Sequence, residues 1–261
     1  MPTLRDILDA TRAALPDLRP RRDALEQSAA ARPAPPSFVA GLRRATVGLV
    51  AEVKRRSPSA GAINEGLDPV VLARAYSQGG AAAISVLTDQ PFFGGSMADL
   101  EAVVAAVPVP VLRKDFILDE IQLLEARAAG ASAALLIVRA LEQPVLLRLH
   151  RFASEIGLTA LVETHNRDEI TRAVDAGAGV IGVNARDLDT FAVDTAKAWQ
   201  LLAAIPGECL AIAESGMASR IDVEAAANAG ADAVLIGSAL ASTGDPTSLA
   251  RTLSGVTRRA R

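Results

Sequence analysis

The sequence has few of the residues that build metal sites, disulfides and aromatic cores. It contains one cysteine and two histidines in 261 residues, and aromatic residues make up 3% of it. Because Cys209 is the only cysteine, an intramolecular disulfide cannot form, which indicates a reducing compartment. His150 and His165 fall on different predicted units, so no zinc site is expected. Neither a GxGxxG segment nor a Walker-type lysine loop is present, and we predict a protein without metal or cofactor.

Long apolar runs and an excess of positive charge are also missing. The longest apolar runs, such as AALLIV at 133–138, are far shorter than the roughly 18 residues that a membrane-spanning helix needs. Asp6 and Asp9 stand near the start of the chain, where a signal peptide would be uncharged. The net charge of -3 provides no polybasic surface for nucleic acid. We therefore predict a cytoplasmic protein that binds neither membranes nor nucleic acid.

Aliphatic residues, by contrast, are abundant and recur in a regular order. Half of all residues (50%) are hydrophobic, which is enough for a large buried core. From residue 48 onward a short apolar run, a turn and an Ala-rich amphipathic stretch repeat, a pattern typical of consecutive βα units. The apolar runs are 48–54, 82–88, 109–115, 133–139, 159–165, 180–186, 210–216 and 233–239. They predict the α/β class and a single (β/α)8 TIM barrel, a fold of about 250 residues.

The first part of the chain does not fit this repeat. ILDATRAAL at 7–15 has apolar residues at helical spacing, and ARPAPPS at 31–37 reads as a proline-rich link. We predict an N-terminal helical extension over 1–45, suited to cap one end of the barrel. The barrel catalytic domain is predicted over 46–261.

Five charged residues stand near the ends of predicted strands. Glu52 and Lys54 share a face of the first strand, and Lys114, Glu163 and Glu214 close the third, fifth and seventh. Barrel strands are buried on both faces, so each charge needs a physical reason. One such residue alone is explained by a structural ion pair. Five at the carboxyl ends, where barrel enzymes place their chemistry, predict an active site built from lysines and carboxylates.

Two glycine-containing turns predict a phosphate site. Strand seven ends in Ser215 and Gly216, and strand eight is followed by Gly237 and Ser238. Backbone N–H groups at these positions can meet an anion, and the loops after strands seven and eight are the usual phosphate site of barrels. A single glycine most often serves a turn. The pair together indicates a phosphorylated small-molecule substrate.

Six segments, taken in order, resemble the indole-3-glycerol phosphate synthase family. They are AEVKRRSPSAG (51–61), SVLTDQPFFGGS (85–96), VLRKDFILDEIQLLEARAAGA (111–131), LVETHNRDEI (161–170), GVNARDLDTF (182–191) and AESGM (213–217). The resemblance covers nearly the whole barrel and includes all five charged residues. Two departures are visible: the family usually has NNRDL where this chain has NARDL at 184–188, and the N-terminal extension matches only loosely.

The resemblance implies a lyase of tryptophan biosynthesis. Its substrate is 1-(2-carboxyphenylamino)-1-deoxyribulose 5-phosphate, which becomes indole-3-glycerol phosphate with loss of carbon dioxide and water. The implied phosphate-binding residues are Gly216, Gly237 and Ser238. The implied residues around the anthranilate ring are Phe93, Phe116, Leu135 and Leu188. Those for its carboxylate are Lys54, Ser57, Asn184 and Arg186, and Ser215 completes the substrate-binding set.

The resemblance also implies roles for the charged residues. Lys114 is the expected general acid for ring closure, and burial is expected to lower its pKa toward working pH. Lys54 is expected to hold the substrate carboxylate and then to protonate the leaving hydroxyl. Either Glu163 or Glu52 acts as the base, and the sequence leaves that choice open. Glu214 is expected to position the lysines through charge-assisted hydrogen bonds.

Other functions are also compatible with a barrel of this kind. One is a related phosphate-binding isomerase, although such families place Cys or Asp where this chain has Glu52-Val53-Lys54. A Schiff-base aldolase would form an imine on a lysine, and we expect no borohydride-trapped adduct. A barrel paralogue that binds without catalysis is disfavoured by the five charged residues. We expect a monomer or weak homodimer.

Overall fold

Strands form a closed parallel barrel in the computed structural model, which describes residues 2–259. Within that range the eight barrel strands, β1 to β8, are Gly48–Val53, Ala83–Leu87, Val111–Lys114, Ala133–Ile137, Thr159–Thr164, Val180–Asn184, Leu210–Glu214 and Ala233–Ile236. Each strand pairs in parallel with its neighbours in the chain, and β8 pairs with β1 to close the ring. Every predicted apolar run contains one strand, so the predicted (β/α)8 barrel is confirmed.

Helices surround the strands and also precede them. Those before β1 are α1 (Leu4–Leu18), α2 (Arg22–Ala31) and α3 (Phe38–Leu42). Those after it, α4 to α13, are Pro69–Gln78, Gln90–Phe93, Met97–Ala106, Glu120–Ala129, Gln143–Glu155, Arg167–Asp175, Thr195–Leu202, Arg220–Asn228, Ser238–Ser242 and Pro246–Ser254. Short 3-10 turns cover Arg19–Arg21 and Val138–Ala140, and Arg56–Ser57 pairs antiparallel with Gly61–Ala62. No helix within residues 2–259 has the length and apolar character to cross a membrane.

Local signals in the sequence fix where individual helices begin and end. Helix α7 begins after Asp119, whose side chain accepts a hydrogen bond from the backbone N–H of Ile121 at 3.0 Å. The side chain of Gln122 accepts from the backbone N–H of Asp119 at 3.2 Å, which completes a capping box. The helix ends at Gly130, whose φ of 90° is a left-handed conformation that favours glycine. These caps set the first and last residues of α7, the helix that connects β3 to β4.

Side-chain alternation along the strands builds the interior and then the site. One layer of apolar residues faces inward and fills the barrel: Val50, Leu112, Leu135, Leu161, Ile212 and Leu235. Strand side chains alternate with a period of two, so the next inward position lies two residues further toward the carboxyl end. On four strands this position is charged: Glu52, Lys114, Glu163 and Glu214. The packed layer is therefore the floor beneath these charges.

The N-terminal helix α1 covers the carboxyl ends of the strands. Leu4, Ile7 and Leu8 are buried and pack in the same cluster as Phe116 and the barrel interior. The prediction that this segment caps a barrel end is confirmed. The division of the chain at residues 45 and 46 stays a prediction, and the last two residues of the second range, like Met1, lie outside the described residues.

The rest of the extension ties α1 to the barrel. Leu25 and Ala29 of α2 pack against α7 in a cluster of their own. The Arg127 guanidinium of α7 donates to the backbone oxygens of Arg32 and Pro33 at 2.9 and 3.2 Å. At the opposite end, Leu42 of α3 is fully buried with the barrel interior. The extension thus runs from the mouth of the barrel along its side to its base.

Candidate active site

A cavity of about 440 Å³ occupies the mouth of the barrel. The predicted site residues that line it are Glu52, Lys54, Ser57, Phe93, Lys114, Phe116, Leu135, Glu163, Asn184, Arg186, Leu188, Ser215, Gly216, Gly237 and Ser238. Glu214 is fully buried beneath the cavity and reaches it through a contact with Lys114. The structure therefore brings the predicted residues together, in a volume suited to a small organic ligand.

Two lysines and two glutamates form a continuous chain of ion pairs on the cavity floor. Lys54 Nζ lies 2.8 Å from Glu52 Oε1, and Lys114 Nζ lies 3.2 Å from Glu52 Oε2. Lys114 Nζ also lies 3.3 Å from Glu214 Oε2. Glu52 thus holds both ammonium groups on one carboxylate, and Lys114 joins that carboxylate to a second.

The two lysines decide the ionisation of Glu52. Burial on its own raises the pKa of this carboxyl, because a charge is poorly solvated inside the protein. The charges and hydrogen bonds of Lys114 and Lys54 outweigh burial and lower the pKa to about 2. Glu52 is therefore an anion at any pH at which the protein works, and a weak base.

The pKa of Lys114 is raised, so the prediction that burial would lower it is wrong. Burial does act in that direction. However, Glu52, Glu214 and Glu163 surround the ammonium group, and their combined charge raises the pKa above the ordinary value for lysine. These carboxylates come from three different strands, and only the closure of the barrel brings them to one lysine.

Glu214 shifts in the opposite sense from Glu52. Burial raises the pKa of this carboxyl, Lys114 opposes the shift, and the charge of Glu163 adds to it, so that the pKa rises to about 8. A raised pKa means that Glu214 keeps its proton to a higher pH than an ordinary glutamate does. Its Oε1 atom makes no hydrogen bond among residues 2–259.

Two glycines give the buried carboxylates the space that they occupy. A Cβ atom on Gly182 of β6 would lie within 3.2 Å of Glu214 Cδ and closer still to Oε1. A Cβ atom on Gly237, after β8, would lie 3.0 Å from Glu52 Cδ and 3.1 Å from Glu52 Cβ. Real Cβ atoms rarely approach other atoms so closely. Gly237, predicted as a phosphate-binding residue, thus also accommodates Glu52.

Glu163 contacts a histidine, His165. Its Oε1 atom lies 3.4 Å from His165 Nε2, and the side chains of both residues are buried. His165 lines a second cavity of about 130 Å³, which Asn184 also borders. Glu163, which lines the main cavity, therefore connects His165 to it.

Aromatic and aliphatic side chains form one wall of the main cavity. The ring centroids of Phe93 and Phe116 are 6.2 Å apart, with an angle of 36° between the planes. Sequence reasoning identified Leu135 and Leu188 beside them. It missed other apolar lining residues, among them Leu4, Ile7, Leu87, Ile137, Phe191, Met217 and Ile236. The helical spacing of Leu4 and Ile7 signalled a buried helix face, but it did not signal which end of the barrel that face covers.

Backbone conformation shapes the opposite wall. Ser215 and Gly216 have φ values of 67° and 77°, so two consecutive residues after β7 take left-handed conformations. Gly237 and Ser238 follow β8 and line the same wall. Paired loops with backbone N–H groups of this kind are suited to bind an anion.

Hydrogen bonds fix the polar residues between these walls. Asn184 Oδ1 accepts from the backbone N–H of Arg186 at 3.0 Å, and Arg186 Nη1 donates to the oxygen of Phe191 at 3.0 Å. Ser57 Oγ accepts from the backbone N–H of Ala60 at 3.2 Å. Burial lowers the pKa of Arg186, yet a guanidinium stays charged at neutral pH. Arg186 therefore supplies a fixed positive charge to the cavity wall.

Comparison with known proteins gives a match over most of the chain. The family model described as indole-3-glycerol phosphate synthase matches residues 4–253. An indole-3-glycerol phosphate synthase of Mycolicibacterium vanbaalenii is 52% identical over 226 residues, which are 87% of this chain and 83% of that protein. Indole-3-glycerol phosphate synthase 1 of Streptomyces coelicolor is 51% identical over 249 residues, which are 94% of this chain and 92% of that protein.

Solved structures with low sequence identity share the fold. A 3-hexulose-6-phosphate synthase is 18% identical with a TM-score of 0.64, over 79% of this chain and 98% of that one. A thiamine phosphate pyrophosphorylase of Pyrococcus furiosus is 15% identical with a TM-score of 0.60, over 81% of this chain and 95% of that one. At such identities the likeness concerns the barrel fold.

The first prediction concerns the space beside Glu52. We expect Gly237→Ala to displace this carboxylate from its two lysines and to lower the free energy of unfolding by about 1–3 kcal/mol, the usual cost of overpacking. Gly244→Ala is the matched control, since a Cβ at Gly244 would meet nothing within 4 Å. Urea unfolding of both variants measures the difference, and equal midpoints would contradict the crowding argument.

The second prediction concerns pH. The pKa of Glu214 rises from an ordinary 4.5 to about 8 on folding, so the folded state binds more protons than the unfolded state between those pH values. The stability that Glu214 contributes is therefore full below pH 4.5 and is lost as pH rises toward about 8. Glutamine resembles the protonated acid and does not titrate. We expect Glu214→Gln to lose less stability than the wild type on going from about pH 5 to about pH 8.

Denaturant unfolding at both pH values measures this effect. Glu208→Gln, at an exposed position, is the control. If the wild type and Glu214→Gln lose the same stability between the two pH values, Glu214 does not hold the extra proton.

Proposed function

The chain belongs to the indole-3-glycerol phosphate synthase family, and on that basis we propose how its barrel mouth carries out the reaction. The substrate is 1-(2-carboxyphenylamino)-1-deoxyribulose 5-phosphate, and the products are indole-3-glycerol phosphate, carbon dioxide and water. The single observation that carries the proposal is the Lys54–Glu52–Lys114–Glu214 chain of ion pairs on the floor of the cavity. In this chain two lysine ammonium groups contact one carboxylate, which supports a reaction that needs two acids.

The two walls suggest the orientation of the substrate. The phosphate binds to the backbone N–H groups of Gly216, Gly237 and Ser238, which line one side of the cavity. The anthranilate ring lies against Phe93 and Phe116 on the other side. The ketose carbons then lie between the two ends, above the lysines.

The carboxylate of the ring needs cationic and hydroxyl partners. Lys54 and Arg186 supply charge, and Ser57 and Asn184 supply hydrogen-bonding groups at the edge of the cavity. Ser215 lines the cavity next to the phosphate side and completes the substrate contacts.

Ring closure depends on Lys114. The ring carbon attacks the C2 carbonyl of the sugar, and charge develops on the carbonyl oxygen, which the Lys114 ammonium stabilises. A raised pKa does not prevent proton transfer, because the oxyanion formed in this step is far more basic than a lysine. Loss of carbon dioxide from the same ring carbon then restores aromaticity.

Dehydration needs a second acid and a base. Lys54 donates a proton to the hydroxyl on C2, which leaves as water, and a carboxylate removes the proton from C1. Glu52 is a poor candidate for this base, since two lysines hold its pKa at about 2. Glu163 lines the cavity and is not within 4.0 Å of a lysine among the described residues. We therefore assign the base to Glu163 and the holding of both lysines to Glu52.

The family assignment also places the protein in tryptophan biosynthesis. From this we propose a cytoplasmic location, where the other substrates of amino-acid synthesis are found. We also propose that the protein works as a monomer or weak homodimer, because one chain supplies all the residues that we assign to catalysis and substrate binding.

A direct assay tests the proposed function. Purified protein is mixed with the carboxyphenylamino deoxyribulose phosphate, and formation of the indole product is followed by its fluorescence. We expect fluorescence to rise with protein concentration. A folded protein that leaves the substrate unchanged would refute the proposal.

Exchange of the two lysines for methionine separates their roles. Lys114→Met keeps the apolar stem and removes the proton, so kcat should fall by about 10²–10⁴-fold with a smaller change in KM. Lys54→Met should raise KM as well, because Lys54 also binds the ground-state carboxylate. Steady-state kinetics measures both constants, and thermal unfolding shows that each variant is folded. Near-normal kcat in folded Lys114→Met would show that Lys114 is not the principal acid.

A further inference from the structure

A pair of buried polar atoms behind the cavity is not explained by the reaction described above. Glu163 Oε1 and His165 Nε2 lie 3.4 Å apart, and neither makes a hydrogen bond to another group among residues 2–259. Side chains of both residues are almost fully buried, with 2% and 4% of their surface exposed. Buried polar atoms in folded proteins nearly always have partners, so an unsatisfied pair that faces each other beside an active site calls for a functional explanation.

The ring of His165 is held in one orientation by Glu169, in the first turn of α9. Glu169 Oε2 lies 3.1 Å from His165 Nδ1 and accepts from the backbone N–H of His165 at 2.8 Å. Asn166 Nδ2 donates to Glu169 Oε1 at 2.8 Å, and Arg139 Nε does so at 3.4 Å. With Nδ1–H donated to an anchored carboxylate, Nε2 is left as the ring nitrogen that exchanges a proton with Glu163.

The second cavity gives this histidine its own access to solvent. His165 and Asn184 line it at its inner end, and the exposed residues Asp194 and Lys197 line it at the surface. When substrate fills the main cavity, Glu163 still contacts His165, which borders the second cavity. A proton can therefore leave the base without passing the substrate.

We propose that His165 is a positioning residue that accepts, through Nε2, the proton that Glu163 removes from C1 of the substrate. The inference rests on the proposed function. In the dehydration step the C1–H bond breaks, its electrons form the C1–C2 double bond, and the C2 hydroxyl leaves as water with a proton from Lys54. The proton from C1 passes to Glu163 and then to His165, and the resulting imidazolium stands between two carboxylates.

The charges around the ring agree with this role. Glu163 of β5 and Glu169 of α9 face the two nitrogens, Arg139 after β4 faces Glu169, and Asp187, Asp194 and Lys197 stand around the second cavity. Burial lowers the pKa of His165, but the hydrogen bond of Glu169 and the charges of both glutamates outweigh it and raise the pKa. The imidazolium is thus stable once formed. Because the ring must be neutral to accept a proton, kcat should fall as pH falls through this raised pKa.

Replacement of His165 tests whether the ring exchanges protons or only fills space. In His165→Gln an amide can still donate to Glu163 but cannot accept a proton. We expect kcat to fall by about 10-fold to 10²-fold, less than for a direct acid or base, with little change in KM and with loss of the acid limb of the pH profile. His150→Gln is the matched control, since the other histidine of the chain is a half-buried residue of α8.

Chemical rescue of His165→Ala provides a second measurement, which is independent of the His165→Gln variant. Imidazole, added through the second cavity, should restore kcat, and the rescue should grow as pH rises and more imidazole is neutral. Pyrazole has the same size and accepts no proton near neutral pH, so it should not restore kcat. Circular dichroism and thermal unfolding show that each variant is folded.

The outcomes separate this inference from the proposed function. Equal rescue by imidazole and pyrazole would show that the ring only fills space and would overturn the inference. Wild-type kcat and an unchanged pH profile in His165→Gln would do the same, while turnover by the wild-type protein would leave the proposed function intact. Absence of turnover in the wild-type protein would overturn the proposed function and this inference with it.

Discussion

The site depends on the two ion pairs that Lys114 makes, at 3.2 Å with Glu52 and at 3.3 Å with Glu214. A buried charge is costly unless it is paired, so the three side chains fix one another in place. Lys54 adds a second cation to Glu52. This arrangement keeps two ammonium groups next to each other without strong repulsion, because a carboxylate lies between them.

The backbone around the barrel mouth is built to accommodate that contact. Gly182 and Gly237 lie where any side chain would collide with Glu214 and Glu52. The apolar layer below, from Val50 to Leu235, gives the charges a rigid floor. Helix α1 lies above, with Leu4 and Ile7 on the cavity wall. The charges thus sit in a partly closed space, where electrostatic interactions are stronger than in water.

The same contact explains why two carboxyls of similar burial differ in ionisation. Two lysines contact Glu52 and lower its pKa to about 2. Glu214 contacts Lys114, which also pairs with Glu52, and its pKa rises to about 8. A pair of acids whose environments move their pKa values apart is common in active sites. Here Glu52 stays an anion, and Glu214 keeps its proton to a higher pH than an ordinary glutamate does.

The sequence by itself determined the barrel and the charged strand-end residues that meet at its mouth. Strand periodicity places Glu52, Lys114, Glu163 and Glu214 at the carboxyl ends, since alternation and strand direction are local properties of the chain. What only the tertiary structure decided are the distances between strands that are far apart in sequence. These set the raised pKa of Lys114, and the packing of whole elements decided which cavity His165 borders and which end of the barrel α1 covers. Each of them depends on which groups meet across the folded barrel and how far apart they lie, because Coulomb energy and burial follow separation in space and not along the chain.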